Sequence, residues 1–493
     1  MKRCIRALAV FLAAALFFPP QGRGVAMEED IIPLIVERCT YSQPADLSKY
    51  KLNEEAFDRI YNQLHNEGSL PWYTTGSYSY HYNEQTGILL GFTPENLDPQ
   101  KYDRTLYEQK LAEVMDRCIH EGMDAVQIAL SVHDYLILNS VYDETLQANT
   151  AYDLLVNGTT VCAGYTSVYM DILNRAGVPC VSVTSTPMEH TWNLVQIDGQ
   201  WYHVDVTWDD PTPDHYGFVS HRYFLVTDDE IADGEDPHYD WNTDITCDDT
   251  RFTDAYWKDV ESGIFFESSA VSYLMRSEEF TNYICRREEA TGKQTVLYTD
   301  DKPYVNIGYG NYTYQHRGLA LHGDRLWFGT LDALRSVRTD GSGLQTEYRY
   351  HESDMYLYSF HIDGDTAYLT TADHSGNTAA ATADLPASGA HIHSYTETVQ
   401  QPQCEAGGYT TSVCDCGLSC QSDPIAPTGH TLTQIGGKAA TIFSSGFSDE
   451  KCSVCEYTQT VQFPRLTLTQ WLLEIFSWLG LASTTQQAAV SQS

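Results

Sequence analysis

With 493 residues the chain exceeds one ordinary domain, and about three are expected. A formal net charge of −38 at pH 7 argues against nucleic acid and against acidic membrane surfaces, and for solubility outside the cell. With 42% hydrophobic residues and 34 tyrosines, the material for folded cores is present.

Residues 1–26 read as a signal peptide: Lys2, Arg3 and Arg6 form a basic start, Ala7 to Phe18 is apolar, and Gly24-Val-Ala26 offers small residues for cleavage. The apolar run is short for a membrane span. Residues 27–123 read as an α+β lead-in. Asn53 can cap a helix that gathers Ala56, Phe57, Ile60, Tyr61 and Leu64 on one face and stops at Gly68. Tyr78, Tyr80 and Tyr82 alternate before Asn83 to Gly87 and Ile88, a hairpin signal. Leu111, Val114, Met115 and Cys118 mark a second helix ending near Gly122. Residues 124–250 form the next unit, beginning with an apolar helix from Ala125 to Leu138 and Tyr142-Asp143 in the loop after it.

Within that unit, Thr160 to Pro211 carries the chemistry. Cys162 precedes the apolar-periodic Val168, Ile172 and Leu173, so it lies at a helix N-terminus, and the helix should stop near Gly177 before Pro179. Unsatisfied N–H groups and the positive end of the helix dipole favour a thiolate there, the nucleophilic form. Cys180, in the apolar strand Val178 to Val183, reads instead as a small buried hydrophobe. The stretches from His190 and from Gln200 alternate around Asp198-Gly199, a two-residue type I′ turn signal. That turn sets Ile197 opposite Gln200, Trp192 opposite Asp205 and His190 opposite Thr207. His190 and Asp205 become diagonal neighbours on one face. A thiol at a helix start with a His and an Asp on adjacent strands is what a nucleophile, general base and orienting carboxylate require. His203 competes with His190 as base, and Asp209 and Asp210 compete with Asp205 as orienter.

Three motifs in order, Cys162-Ala-Gly-Tyr165, His190-Thr-Trp192 and Trp201 to Pro211, resemble the transglutaminase-like superfamily, nearest the bacterial secreted and cytokinesis-protein/kyphoscoliosis-peptidase branch. The resemblance covers residues 124–242. It implies an α+β, papain-like core and a Cys162, His190, Asp205 triad, with no cofactor. His221 and His238 fall in the family's closing segment and read as structural. The implied function is a secreted cysteine enzyme acting on amide bonds of protein or peptide substrates, cell-wall peptide among them, through a Cys162 thioester. Water as second nucleophile makes it a peptidase or amidase; an amine makes it a cross-linking transglutaminase. The alternative is a non-catalytic surface binding or scaffold protein with a degenerate core of this type.

Residues 251–388 change to short β runs with Asp-Gly and Gly-Asp turns. The segments around Gly323 and Gly364 recur 41 residues apart, and Ile264-Phe-Phe is a poorer third copy. This spacing points to a β-rich domain, propeller-like or incomplete. The last family motif lies before it, so residues 27–250 are expected to fold alone. Residues 389–465 form a small Cys-rich β module. His393, Cys404, Cys414, Cys416 and His430 resemble zinc-ribbon-like repeats of bacterial secreted proteins, although Cys414-Asp-Cys416 is one residue short. A second copy keeps Cys452-x-x-Cys455 but has Ala439-Ala-Thr441 where its leading Cys would stand. With Cys420, this module can bind zinc, form disulfides, or do neither. Elsewhere, Cys39, Cys118, Cys180, Cys247 and Cys285 are odd in number, so at least one is free or pairs outside this group. Residues 466–493 read as an amphipathic segment and a disordered tail, without a confident membrane span.

Overall fold

The computed structural model describes residues 25–212, 217–234, 236–279, 281–301, 304–307, 312–315, 318–349, 355–373, 375, 377–386 and 393–478. The expected signal peptide lies outside them except for its last two residues, which begin the Val25–Tyr41 helix. The polar tail after Trp478 also lies outside. Two compact units divide the chain, residues 1–396 with 412–422, and residues 397–411 with 423–493.

The first unit begins with the lead-in anticipated from the sequence. Asn53 caps the Glu54–Asn66 helix, its side chain accepting from the Ala56 N–H at 3.0 Å. Phe57 and Tyr61 of that helix pack with Ile35, Leu89 and Phe92 in a separate small core. The Tyr strand, Thr74–Tyr82, pairs antiparallel with Leu89–Asn96 through the hairpin the turn residues called for. Asp124 and Gln127 form a reciprocal capping box on the Ala125–Leu138 helix, which is mostly apolar and buried on most of its faces, Gln127, His133 and Asp134 included.

At the centre lies the Cys162–Arg175 helix, packed on an antiparallel sheet whose strands run in the order Cys180–Ser185, His190–Ile197, Gln200–Val204, Phe224–Val226. Tyr165, Val168, Tyr169, Ile172 and Leu173 from the helix and Val195, Ile197, Tyr202 and Val204 from the sheet join one hydrophobic core. The core is therefore α+β, a helix against one face of an antiparallel sheet.

That core does not stop at the boundary expected at residue 250. Trp257, Val260, Ile264, Phe266, Leu274 and Cys285 belong to the same cluster. Polar ties cross it as well: the Ile264 N–H donates to Asp134 at 2.7 Å, and the Gln127 amide donates to the Ser269 carbonyl at 2.9 Å. A fragment ending at residue 250 would expose this apolar surface, and burial of each large side chain is worth about 1.5–3 kcal/mol. We therefore expect residues 27–250 to be insoluble or to unfold without cooperativity, read by denaturant titration against the full chain. Cooperative unfolding of the fragment at the full chain's midpoint would contradict this.

Beyond it, antiparallel sheets follow one another: Phe265–Ser268 through Gln294–Asp300, Leu319–His322 through Gln345–Arg349, and Met355–Asp363 through Thr378–Asp384. The recurring segments are the first hairpins of the last two. Gly323 and Gly364 sit at their turns with φ of 61° and 55°, the left-handed region such two-residue turns require. Consecutive sheets share hydrophobic clusters: Met275 and Ile284 join Leu326 and Phe328 in one, and Trp327 and Leu334 join Phe360 and Leu369 in another. Among the described residues these sheets form no closed barrel or propeller; of the two expected forms, propeller-like or incomplete, they show a β-rich run of antiparallel sheets without closure.

In the second unit, strands Leu432–Lys438, Gly446–Cys452 and Thr458–Phe463 form an antiparallel sheet, and Leu468–Trp478 is a helix. Leu468, Leu472 and Leu473 of that helix are exposed. No described helix is long and apolar enough to cross a membrane.

Candidate active site

Cys162 opens its helix as the periodicity required. Val161 holds the N-cap position in extended conformation and makes no side-chain cap, so no N-cap side chain occupies the N–H groups of Cys162 and Ala163 at the helix start. The approach to this start is tightly fixed. Val141–Tyr142 pairs in parallel with Thr159–Thr160, and the Val161 N–H donates to the Ala148 carbonyl at 3.0 Å. Asp143 pins the same loop, accepting from the N–H groups of Gln147 at 2.8 Å and Ala148 at 2.7 Å. Those bonds, that to Ala148 first, hold its carboxyl down at about 2.

Gly164 is the residue that lets this corner close. A methyl group there would collide with the Thr160 hydroxyl and stand 2.8 Å from the Thr150 carbonyl. Gly164→Ala must displace the helix start, and overpacking of this kind costs about 1–3 kcal/mol. We expect a lowered Tm and a larger loss of turnover than of stability, checked by calorimetry alongside single-turnover kinetics.

His190 reaches the helix from the strand beside it. The Thr166 hydroxyl donates to the Thr191 carbonyl at 3.0 Å, and the Asn193 amide donates to the Thr166 carbonyl at 3.1 Å, locking helix and strand in register. The imidazole stacks with Trp192 and with Trp208, ring centroids 5.6 Å and 5.3 Å away. Its Nε2 lies 2.6 Å from Oδ2 of Asp205. Burial alone would lower the His190 pKa; the Asp205 charge and hydrogen bond, with hydrogen bonding and charge from Cys162, push it up to about 10. Asp205 is fully buried, and although burial opposes its charge, His190 and His238 hold its carboxyl well below the usual carboxylate range.

The turn-derived register holds from Ile197↔Gln200 to Asn193↔Val204, with Asp198 and Gly199 both at positive φ. It then ends, and the expected pairings of Trp192 with Asp205 and of His190 with Thr207 do not form. Asp205 instead caps the short Val206–Asp209 helix, its Oδ1 accepting from the N–H groups of Thr207 at 3.0 Å and Trp208 at 3.2 Å. His190 pairs with Ser185 on the opposite side. The cap leaves Oδ2 aimed at His190, so the juxtaposition survives for a different reason.

The competitors are engaged elsewhere. His203 accepts from the Trp192 indole at 2.9 Å and lies 2.8 Å from Asp228, and burial lowers its pKa. Asp209 receives the Tyr223 N–H, the Ser220 hydroxyl and His133 Nε2, the last at 3.2 Å. Asp210 accepts from the Tyr165 hydroxyl. Cys180 is buried, and burial pushes its thiol up. His221 bridges Asp134 at 3.0 Å and the Val260 carbonyl at 2.8 Å, the structural role expected of it.

His238 departs from that expectation. Its Nε2 lies 2.8 Å from Oδ2 of Asp205, the oxygen that also meets His190. The histidine is buried, arriving from the segment that bridges Ser185 through Trp241. Its sequence neighbourhood was visible as a family segment, but nothing local tied it to Asp205. Tyr142 is a second unforeseen neighbour: burial raises its pKa, and Cys162 raises it further by its charge.

The C-terminal cysteines and histidines fall into two groups, one of them drawn across the two sequence copies rather than from within either. Cys404, His430, Cys452 and Cys455 bring four ligand atoms within 4.8 Å of one another, and His393, Cys414 and Cys416 do the same with three. Cys420 joins neither group. No disulfide joins any of the twelve described cysteines.

Residues 112–206 match a family profile described as the transglutaminase-like superfamily. Kyphoscoliosis peptidase of Mus musculus is 26% identical over 125 residues, 22% of this chain and 19% of that protein. The Homo sapiens protein of that name is 25% identical over 125 residues, with the same coverage of 22% and 19%. The match thus spans 19% of the length of either relative. Among solved structures, one described as a TGase shares 13% identity over 34% of this chain and 50% of its own, with a TM-score of 0.19. A putative cysteine protease from Cytophaga hutchinsonii shares 11% over 28% and 64%, with a TM-score of 0.18.

Proposed function

We propose, from the premise that the chain belongs to the transglutaminase-like superfamily, that it is a cysteine acyl-transfer enzyme acting on amide bonds of proteins or peptides. The carrying observation is Asp205 Oδ2 at 2.6 Å from His190 Nε2, on a ring that also meets Cys162. With Nε2–H donated to the carboxylate, Nδ1 is the nitrogen left to exchange a proton with the thiol. Thiol to imidazole transfer gives the nucleophile. The thiolate attacks the amide carbonyl, and the helix-start N–H of Cys162 is the candidate oxyanion donor. As the tetrahedral intermediate collapses, the C–N bond breaks and the imidazolium protonates the leaving amine. A thioester on Cys162 remains. Water or an amine then attacks it, with the imidazole taking the proton, and the thiol is restored. The basic and then apolar opening of the sequence supports action outside the cell, on peptide or protein substrates found there.

The test is a diverse library of glutamine-containing peptides incubated with the full mature chain and a biotinylated primary amine. Mass spectrometry reads cleaved or deamidated peptides and amine-tagged peptides separately. We expect one of these products, absent with Cys162→Ser. Neither product across the library would count against an acyl-transfer enzyme for peptides.

A further inference from the structure

The second unit has no hydrophobic core of its own: the five hydrophobic clusters found among the described residues all end before residue 386. Phe443, Val454 and Ile435 are 82%, 74% and 63% exposed. Cys404 and Cys452 are nevertheless buried, at 7% and 3% exposure. A small β module whose buried side chains are two thiols and the hydroxyls of Thr410 and Ser448, rather than large apolar groups, needs some other staple.

Cys404 Sγ lies 3.8 Å from Cys452 Sγ, and Cys455 Sγ lies 3.3 Å from Nδ1 of His430. A disulfide needs about 2.05 Å between sulfurs. A tetrahedral zinc, with Zn–S near 2.3 Å and Zn–N near 2.0 Å, sets its donors roughly 3.6–3.8 Å apart. The Cys404–Cys452 separation of 3.8 Å matches the sulfur–sulfur edge, the Cys455–His430 separation of 3.3 Å is somewhat shorter than the sulfur–nitrogen edge, and all four donor atoms fall within 4.8 Å of one another. The surroundings are those of a metal site. The Val454 N–H donates to Cys452 Sγ at 3.4 Å. Nε2 of His430 lies 3.1 Å from Glu405, which fixes Nδ1 as the free donor, and the ring stacks on Tyr457 at 3.9 Å.

We propose that Cys404, His430, Cys452 and Cys455 bind one structural zinc ion, and that the ligand set is assembled across two sequence copies. The second copy lacks a leading Cys at Ala439-Ala-Thr441, and Cys404 of the first copy supplies the missing thiolate. Three thiolates and one neutral imidazole close the coordination, leaving no position for catalysis, and binding expels the three thiol protons. His393, Cys414 and Cys416 offer only three donors, and we assign no metal to them.

The test uses the full mature chain carrying Cys162→Ala and Cys416→Ser, so that neither the nucleophile nor the three-donor group contributes. Purified with zinc and dialysed, it should retain about one equivalent by elemental analysis. Cobalt(II) in its place should give the intense visible absorption of tetrahedral coordination and a thiolate charge-transfer band. Cys452→Ser should abolish retention. Because that variant can also misfold, Cys455→His provides the folded counterpart. It should keep the metal while the charge-transfer intensity falls to roughly two thirds, as three thiolates become two. Zinc content unchanged by Cys452→Ser, a cobalt spectrum without tetrahedral bands, or Cys404–Cys452 linked peptides as the main form of the unreduced chain would each overturn the assignment.

Discussion

Cys162→Ala is expected to abolish turnover while leaving the fold intact. The thiol is half-buried at the start of the central helix, outside the side chains that make up its hydrophobic core. Removing a covalent nucleophile that acts as a unit with its base typically costs about 10⁴–10⁶ in kcat, leaving only binding and oxyanion stabilisation. The check pairs kinetics on any peptide turned over by the parent chain with a denaturation curve. An unshifted midpoint and a vanished rate are expected. Turnover within tenfold of the parent would remove Cys162 from the chemistry.

Asp205→Asn is expected to lower kcat by about 10⁴ with little change in KM, since an amide in place of the carboxylate favours the wrong imidazole tautomer. Its pH signature follows from the His190 shift. His190 must be protonated to deliver a proton to the leaving amine, and its pKa is pushed up to about 10 with Asp205 the chief cause. The alkaline limb of the rate profile should therefore lie near that value in the parent. In the variant it should move down towards about 6.5, the ordinary histidine value. The stability effects have opposite signs for the two groups. A raised histidine pKa contributes stability that is complete below its unfolded value and is lost as pH rises through about 10. The depressed carboxyl of Asp205 contributes stability above about pH 3.9, lost as pH falls below it. Both contributions vanish in Asp205→Asn, so its stability should depend less on pH at either end. A parent-like alkaline limb in the variant would place the orienting charge elsewhere.

Much of the candidate site was legible because short-range rules place its elements. The Asp198-Gly199 turn fixes the strand register as far as Asn193 and Val204, and Asp205 then meets His190 as the cap of the Val206–Asp209 helix, which the turn alone does not dictate. The helix start at Cys162 followed from apolar spacing alone. What sequence could not supply were the groups that arrive through tertiary structure. His238 lies 33 residues beyond Asp205 and reaches it only because its segment folds back along the Ser185 strand. The continuity of the core across residue 250 was hidden for a similar reason. The β-rich character begins there in sequence, but Trp257 and Ile264 are apolar residues with no local pattern to say which core they fill. The cysteine module failed in an instructive way. Reading ligands within one copy grouped Cys404 with Cys414 and Cys416, whereas the fold gathers Cys404 with Cys452 and Cys455.

His238 also changes how the carboxylate should be regarded. Oδ1 is held by two backbone N–H groups, and Oδ2 is shared by two imidazoles. Asp205 is thereby immobilised and kept ionised in a fully buried position, where an unpaired carboxylate would be strongly disfavoured. The orientation of His190 then depends on its bond to Oδ2 and on the two tryptophans that stack with the ring.

The most direct test of a thiol activated by His190 is the peptide-resolved rate of alkylation by iodoacetamide near neutral pH, in the parent and in His190→Ala. Burial pushes the thiols of Cys39 and Cys118 up to about 11 and about 12, and those of Cys180 and Cys247 up as well, so these should react slowly. The predicted result is that Cys162 is labelled well ahead of them in the parent and loses that lead in His190→Ala. A Cys162 that labels no faster than the buried thiols, or one whose rate is indifferent to His190, would contradict it.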